Sequence, residues 1–125
     1  MNVICKIDIE IYRCVTPFIK TSEVVLTEER VSHIREHHPN DFERYSKYIV
    51  DMIKRPQYIL DDLVPNTAVI VQEFQEAGEC FRLVLKIAVA EDWEDKKNSV
   101  ITFMKISEKK FRKYLRNKKI LYKSE

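Results

Sequence analysis

The pattern of apolar and polar positions along the chain predicts a strand, two helices, a group of strands and a closing helix. Residues 2–15 alternate between apolar and polar side chains, which predicts one strand with a single buried face. Apolar positions then recur at helical spacing, first after Thr27 and again through residues 40–54. Pro39 and Pro56 follow these two segments and indicate where each helix ends.

The second half of the chain favours strands. Residues 58–60 predict a short edge strand, and residues 67–74 and 80–90 predict a hairpin around Gly78. Residues 99–106 predict the last strand. We therefore expect an α+β fold in which two N-terminal helices pack on about four antiparallel strands. An extra N-terminal strand and a basic C-terminal helix complete this expectation.

Length and composition indicate one globular domain over residues 1–125. A chain of 125 residues that is 45% hydrophobic can bury a core without disulfides or metals. The single glycine leaves no phosphate-binding loop, which excludes the usual ATP, GTP and dinucleotide enzymes. Three cysteines at unrelated spacings and the lack of a signal-like or membrane-spanning segment favour a cytoplasmic protein.

Charge is distributed unevenly although the net charge is only +2. The last part of the chain is basic and follows an acidic middle, a distribution that favours a polyanionic partner such as RNA. A solvated helix face is the alternative interpretation. The candidate RNA-binding residues are Lys105, Lys109, Lys110, Arg112, Lys113 and Arg116.

All the histidines of the chain, His33, His37 and His38, lie in the predicted helix after Thr27. Histidine can both donate and accept a proton near neutrality, so this concentration predicts acid/base chemistry. Surface or packing roles are the alternative. His33 and His37 could also hold zinc, but the Glu that follows the first His in zinc proteases is missing. We therefore expect no metal and no cofactor.

The strand over residues 80–90 offers two cations on one face, Arg82 and Lys86. Such a pair can hold a phosphate on a sheet surface, or it can form ion pairs with Glu73 or Glu79 on the neighbouring strand. Thr102 adds a hydroxyl in the middle of the last predicted strand.

Several short motifs, taken in order, resemble the phage-type members of the barnase–EndoU–colicin–RelE-like nuclease superfamily. They are Val-Leu-Thr-Glu-Glu-Arg at 25–30, His-Ile-Arg-Glu-His-His-Pro at 33–39, Arg-Pro at 55–56, Ser-Val-Ile-Thr at 99–102 and Ile-Leu-Tyr-Lys at 120–123. The resemblance covers residues 24–123, which makes residues 1–23 an N-terminal strand extension. It implies a ribonuclease fold and RNA cleavage without a metal, often in toxins or in phage and mobile-element effectors.

The resemblance also implies roles for particular residues. The family's helix histidines fall on His33 and His38, with His37 as a further possibility, and the labels of base and acid are interchangeable. Its strand cation falls on Arg82 or Lys86, its hydroxyl on Thr102 and its terminal aromatic on Tyr122.

The expected partner is RNA, with tRNA as one substrate. An antitoxin or immunity protein is a further possible partner, no membrane is expected, and the chain would act as a monomer or homodimer. The competing hypothesis is a nuclease-like module that binds RNA or protein without chemistry.

Overall fold

The computed structural model describes residues 2–125 as five helices and one seven-stranded open sheet. The first residue of the expected domain, Met1, lies outside the described residues. The strands are β1 (Val3–Lys6), β2 (Glu23–Val25), β3 (Tyr58–Leu60), β4 (Thr67–Phe74), β5 (Glu79–Lys86), β6 (Asn98–Ile106) and β7 (Ile120–Lys123). The helices are α1 (Ile9–Tyr12), α2 (Glu28–His37), α3 (Asp41–Tyr45), α4 (Lys47–Lys54) and α5 (Glu108–Asn117).

The strands follow the order β1-β2-β6-β5-β4-β3-β7, and all neighbours are antiparallel except β2 and β6. The expected α+β class is confirmed. Two details were wrong: four helices, α1 to α4, precede β3 instead of two, and the sheet has seven strands with one parallel pair instead of about four antiparallel strands. β3 is not an edge strand, because it pairs with β4 on one side and with β7 on the other. The N-terminal strand β1 and the two strands that were not expected, β2 and β7, are only three or four residues long.

The N-terminal segment is not one strand. Its pairing ends at Lys6, and the carboxylate of Asp8 then caps α1 by accepting a hydrogen bond from the Glu10 amide at 3.1 Å. Tyr12 would lie with Lys6, Asp8 and Glu10 on the polar face of a continuous strand, but it is fully buried. Its hydroxyl donates to the Ile53 carbonyl at 2.8 Å, which fastens α1 to the end of α4.

The histidine-bearing helix begins and ends where the sequence predicts. Thr27 caps it, with its hydroxyl accepting from the Arg30 amide at 3.2 Å, and the last helical residue is His37. His38 leaves helical geometry at φ −135° and ψ 72°, as expected for the residue before Pro39.

The next helical segment is divided at Ser46 into α3 and α4. Asn40 and Glu43 have the spacing of a capping box, but no capping box forms. Asn40 adopts a left-handed conformation at φ 70° and makes no side-chain cap, and the Glu43 carboxylate binds Arg35. Asn tolerates this conformation, but a capping residue needs an extended backbone.

The centre of the sheet is a hairpin of β4 and β5, as predicted. Gly78 lies in the turn at φ 64°, a conformation that other residues seldom adopt. β5 ends at Lys86 and not at residue 90, because the next amides leave the ladder with β6: those of Ile87 and Ala90 donate to loop carbonyls, and those of Ala88 and Val89 donate to side chains. The Ala88 amide donates to Oδ1 of the fully buried Asn98 at 2.8 Å, so Asn98 closes this loop.

Helices cover both faces of the sheet. On one face, α1 to α4 bury the main core, which includes Tyr12, Ile34, Ile49, Met52, Ile53, Phe81, Leu83, Leu85 and Phe103. On the other face, α5 covers a smaller core that includes Leu60, Val69, Val71, Cys80, Val84, Ile106 and Phe111. We call these the α2 face and the α5 face.

Replacing Tyr12 by Phe should lower the free energy of unfolding by about 1–3 kcal/mol, the cost of leaving a buried polar group unpaired. The buried carbonyl of Ile53 loses its donor in this variant. Burial raises the pKa of Tyr12 well above its usual value, so the hydroxyl remains a donor throughout the neutral range. Urea unfolding followed by circular dichroism measures the change.

Tyr58→Phe is the matched control, since Tyr58 is only half-buried and its hydroxyl makes no hydrogen bond within residues 2–125. Equal losses of stability in the two variants would contradict the importance of the Tyr12 bond.

Candidate active site and basic face

Two of the three histidines form a contact pair on α2. The imidazoles of His33 and His37 have centroids 4.3 Å apart with their planes inclined by 43°, and both side chains are exposed. They are neighbours because residues four apart lie one above the other on a helix. Between them in sequence, the fully buried Ile34 anchors the helix to the core.

The position of this pair follows from the helix itself. Arg35 contacts the Phe42 ring at 5.1 Å and binds Glu43, so its flank of α2 faces α3. At about 100° per residue, His33 and His37 fall on the opposite side of Ile34 from Arg35. The imidazole pair therefore points away from α3.

His38 occupies a different environment. It is half-buried at the end of α2, and its amide donates to the Ile34 carbonyl at 2.8 Å. The structure thus brings His33 together with His37 and leaves His38 in the turn that leads to Pro39.

Arg30 lies on the same flank as the imidazole pair and was not among the predicted site residues. It is half-buried, and within residues 2–125 its guanidinium forms no ion pair, unlike that of Arg35. The signal was present in the sequence, since Arg30, His33 and His37 are spaced by three and four residues. We regard Arg30 as part of the candidate site.

The strand groups lie on the α5 face. Arg82 stands between Cys80 and Val84, both of which belong to the core beneath α5, and side chains alternate along a strand. Thr102 is paired with Val84 on the neighbouring strand and shares its face.

Arg82 is held against α5. Its guanidinium lies 5.8 Å from the centroid of the Tyr114 ring, and its Nε is buried with no hydrogen-bond partner among residues 2–125. Lys86 is engaged elsewhere, because its Nζ donates to the Pro65 carbonyl at 2.9 Å. Within residues 2–125, neither Arg82 nor Lys86 forms the alternative ion pair with Glu73 or Glu79. Glu79 binds Lys105 instead.

The histidine pair and the strand groups occupy neighbouring elements without touching. α2 packs against β6, which carries Thr102, and β5 with Arg82 is the next strand. No hydrogen bond within residues 2–125 joins an imidazole to Arg82, Lys86 or Thr102. The imidazole pair and the strand groups therefore lie on opposite faces of the sheet and do not form one constellation.

Tyr122 lies away from the other candidates. Its strand, β7, is separated from β6 by β5, β4 and β3. The side chain is half-buried against the main core and is paired with Ile59. The structure gives it no contact with the histidines.

The predicted RNA-binding residues divide into two groups. Lys105 lies at the end of β6, on the α2 face beside Phe81, and its hydrogen bond to Glu79 raises the pKa of the Lys105 ammonium. Arg112 is paired with Glu108 at 2.8 Å. The remaining members are exposed on α5 and form no ion pair within residues 2–125: Lys109, Lys110, Lys113 and Arg116.

A groove of about 390 Å³ runs along α5. Its lining is mainly apolar, although four of its residues are lysines. The lining residues are Ser107, Lys109, Lys110, Lys113, Tyr114, Asn117 and Lys118. This groove is the most basic concave surface among the described pockets.

Residues 2–125 lack two further features, a metal-binding group of side chains and a membrane-spanning helix. No three side chains of His, Cys, Asp or Glu are grouped closely enough to hold a metal ion. No helix in this range combines the length and apolar character needed to cross a membrane.

Comparison with known proteins gives one assignment. No curated protein and no solved structure matches the chain significantly. The sequence model of the family described as phage-Barnase-EndoU-ColicinE5/D-RelE like nuclease 2 matches residues 8–123. This match begins before residue 24 and therefore includes α1 and the segment that leads to β2. Because it covers nearly the whole chain, the protein belongs to this family of phage-type nucleases, PBECR2.

Proposed function

We propose that this nuclease is a metal-independent endoribonuclease that uses His33 and His37 as its acid/base pair. The observation that carries the proposal is the contact between these two exposed imidazoles on one flank of α2, at a centroid distance of 4.3 Å. Family membership supports nuclease chemistry, and histidine is the residue best suited to move protons at neutral pH.

The reaction requires two proton transfers. One imidazole removes the proton from the ribose 2′-hydroxyl, whose oxygen attacks the adjacent phosphorus. The other imidazole donates a proton to the 5′-oxygen as the phosphorus–oxygen bond to it breaks. The products are a 2′,3′-cyclic phosphate and a free 5′-hydroxyl, so no covalent enzyme intermediate and no metal are needed.

The proximity of the rings suits this division of roles. The reaction needs one neutral imidazole as the base and one protonated imidazole as the acid, and two rings in contact can serve both ends of one phosphodiester bond. His38 is the alternative partner of His33, as the family resemblance implies.

Arg30 supplies the positive charge that the crowded phosphate needs. It lies on the same flank as His33 and His37, and its guanidinium is not committed to a carboxylate within residues 2–125. A planar guanidinium can hold two phosphate oxygens at once through charge-assisted hydrogen bonds.

The RNA would pass from the histidine flank across the edge of β6 to the α5 face. β2 pairs with β6 only at Asn98 and Ser99, so the rest of this edge has no strand partner among residues 2–125. Arg82 and Thr102 lie beyond the edge and would contact the RNA backbone on the way to α5. In this proposal tRNA is one candidate substrate, and the biological role is that of a toxin or of a phage or mobile-element effector.

A binding module without chemistry is the second candidate function. The basic groove on α5 favours it, because that surface would bind RNA whether or not the histidines react. Such a module, like a toxin, could also engage a protein partner such as an immunity protein. The experiments below separate the two functions.

The parent protein should cleave total tRNA or rRNA in the presence of EDTA, leaving 2′,3′-cyclic phosphate ends. The double variant His33→Ala, His37→Ala should lose at least about 100-fold in rate, since each proton transfer contributes about 10²–10⁴. Gel analysis with end-group mapping measures both results, and the parent's pH–rate profile should be bell-shaped.

His38→Ala is the matched control. Retained activity in this variant supports His37 as the partner of His33, and a loss equal to that of the double variant assigns the role to His38 instead. Equal cleavage by parent and double variant would refute histidine catalysis. Binding without cleavage would establish the module, and activity abolished by EDTA would refute the metal-independent mechanism.

Arg30→Gln should lower kcat/KM by about 10–100-fold, the loss expected for a charged hydrogen bond to the reacting phosphate. Arg35→Gln removes an equal charge from the other flank of α2. It breaks an exposed ion pair and a cation–π contact with Phe42, and each of these contributes little to stability at an exposed site. Steady-state cleavage of one short RNA compares them. Similar losses in both variants would remove Arg30 from the site.

Replacing Lys109, Lys110 and Lys113 by Ala should weaken RNA binding and flatten its dependence on salt. Each lost phosphate contact reduces the slope of log K against log salt by about 0.7 for single strands, so the total change is about 2. Filter binding at several salt concentrations measures it, using an RNA whose 2′-hydroxyls are methylated to prevent cleavage.

Lys47→Ala with Lys54→Ala is the control, since both lysines are exposed on α4. An unchanged slope in the triple variant would show that RNA does not lie along α5.

A further inference from the structure

The groove on α5 has the features of a site for a nucleotide and not only of a charged surface. Its volume of about 390 Å³ falls within the range of small-molecule pockets. The half-buried Tyr114 and the exposed Lys109 and Lys113 all line it. An aromatic ring together with lysines in one groove matches a base joined to a phosphate.

The Tyr114 ring is held in place from the sheet. The guanidinium of Arg82 lies 5.8 Å from the ring centroid, and Tyr114 also packs against the small core of the α5 face. Arg82 additionally keeps a buried Nε with no partner within residues 2–125. An unpaired buried donor is uncommon in folded proteins and points to a missing acceptor.

From this arrangement we infer that the α5 groove is a nucleotide subsite, in which one base of a single-stranded RNA stacks on Tyr114 and its phosphate is held by Lys109 and Lys113. The inference deepens the proposed ribonuclease function and rests on it for the choice of RNA as ligand. It assigns Tyr114 and Arg82 to the binding of substrate at a distance from the histidine pair.

Lys110, which lies next to the Tyr114 ring, does not prevent a base from stacking on it. The Nζ of Lys110 lies 5.9 Å from the ring centroid, but Lys110 is exposed and lies one turn away on the same helix. An exposed cation–π contact is weaker than the stacking of a base on an aromatic side chain. A base can therefore displace the lysine, whose ammonium then becomes available to a phosphate.

Stacking on Tyr114 would let the subsite accept any base but would restrict it to unpaired RNA. Every base has an aromatic face, so the subsite accepts any of them. Bases in a duplex are already stacked on their neighbours, so the subsite selects loops, bulges and unpaired ends. The groove would thereby direct cleavage to single-stranded positions at a fixed distance from it.

The test uses a trinucleotide that contains 2-aminopurine and carries 2′-O-methyl groups, which the nuclease cannot cleave. Binding to the parent protein should quench 2-aminopurine fluorescence, as stacking does. Tyr114→Leu should weaken binding about tenfold or more and abolish the quenching, whereas Tyr114→Phe should retain both. Circular dichroism and thermal unfolding establish that each variant is folded.

Further measurements make the outcome independent of catalysis and of folding. Lys113→Glu changes only an exposed charge and should weaken binding without altering stability. The 2′-O-methyl trinucleotide reports binding without turnover, so binding and quenching should be seen even if no RNA is ever cleaved. Failure of the proposed function and failure of the subsite are thus separate results.

Three results would overturn the inference. The first is quenching that is unchanged in Tyr114→Leu. The second is an acidic peptide of equal charge that competes as well as the trinucleotide, because that would show a general preference for anions. Equal affinity for the trinucleotide within a duplex would likewise exclude selection by stacking.

Discussion

The burial of both faces of the central strands determines on which side of the sheet each candidate group lies. Phe81, Leu83 and Leu85 of β5 point into the main core, while Cys80 and Val84 point into the core beneath α5. A shift of one residue in the pairing register of β5 would exchange these two sets of side chains between the faces. Such a shift is unfavourable because each face buries apolar side chains. Arg82 is consequently committed to the α5 face and cannot approach the α2 face.

This constraint separates proton transfer from much of the RNA binding. The imidazole pair lies on a helix that borders β6, and the densest positive charge lies on α5, across the sheet. In the function proposed here, a substrate must therefore be long enough to reach from one region to the other. Such an arrangement suits a polymer and is poorly suited to a mononucleotide.

Local signals explain why some of the fold could be predicted from the sequence. Thr27 and Pro39 set the ends of α2, and Gly78 marks the β4–β5 turn, because each acts through the backbone of its immediate neighbours. Other features depend on distant partners. The hydroxyl of Tyr12 meets a carbonyl 41 residues away, and the short strands β1, β2 and β7 exist only because a neighbouring strand is in place.

The same distinction applies to the candidate site. The pairing of His33 with His37 and the alignment of Arg30 with them follow from helical spacing. Alternation along β5 predicts that Arg82 and Phe81 point to different faces of the sheet. No local signal in the sequence shows which helix covers which face. Only the three-dimensional arrangement reveals that Tyr114, from a helix 32 residues later in sequence, lies beside Arg82.

α2 and α4 differ in how firmly the core holds them. Ile34 is the one buried side chain of α2, whereas α4 buries Ile49, Met52 and Ile53. A helix anchored at one point can open locally at a lower free energy than the sheet beneath it. Opening of α2 would separate the two imidazoles while the groove on α5 stayed intact. In the function proposed here, RNA would therefore stay bound while the histidine pair was transiently lost.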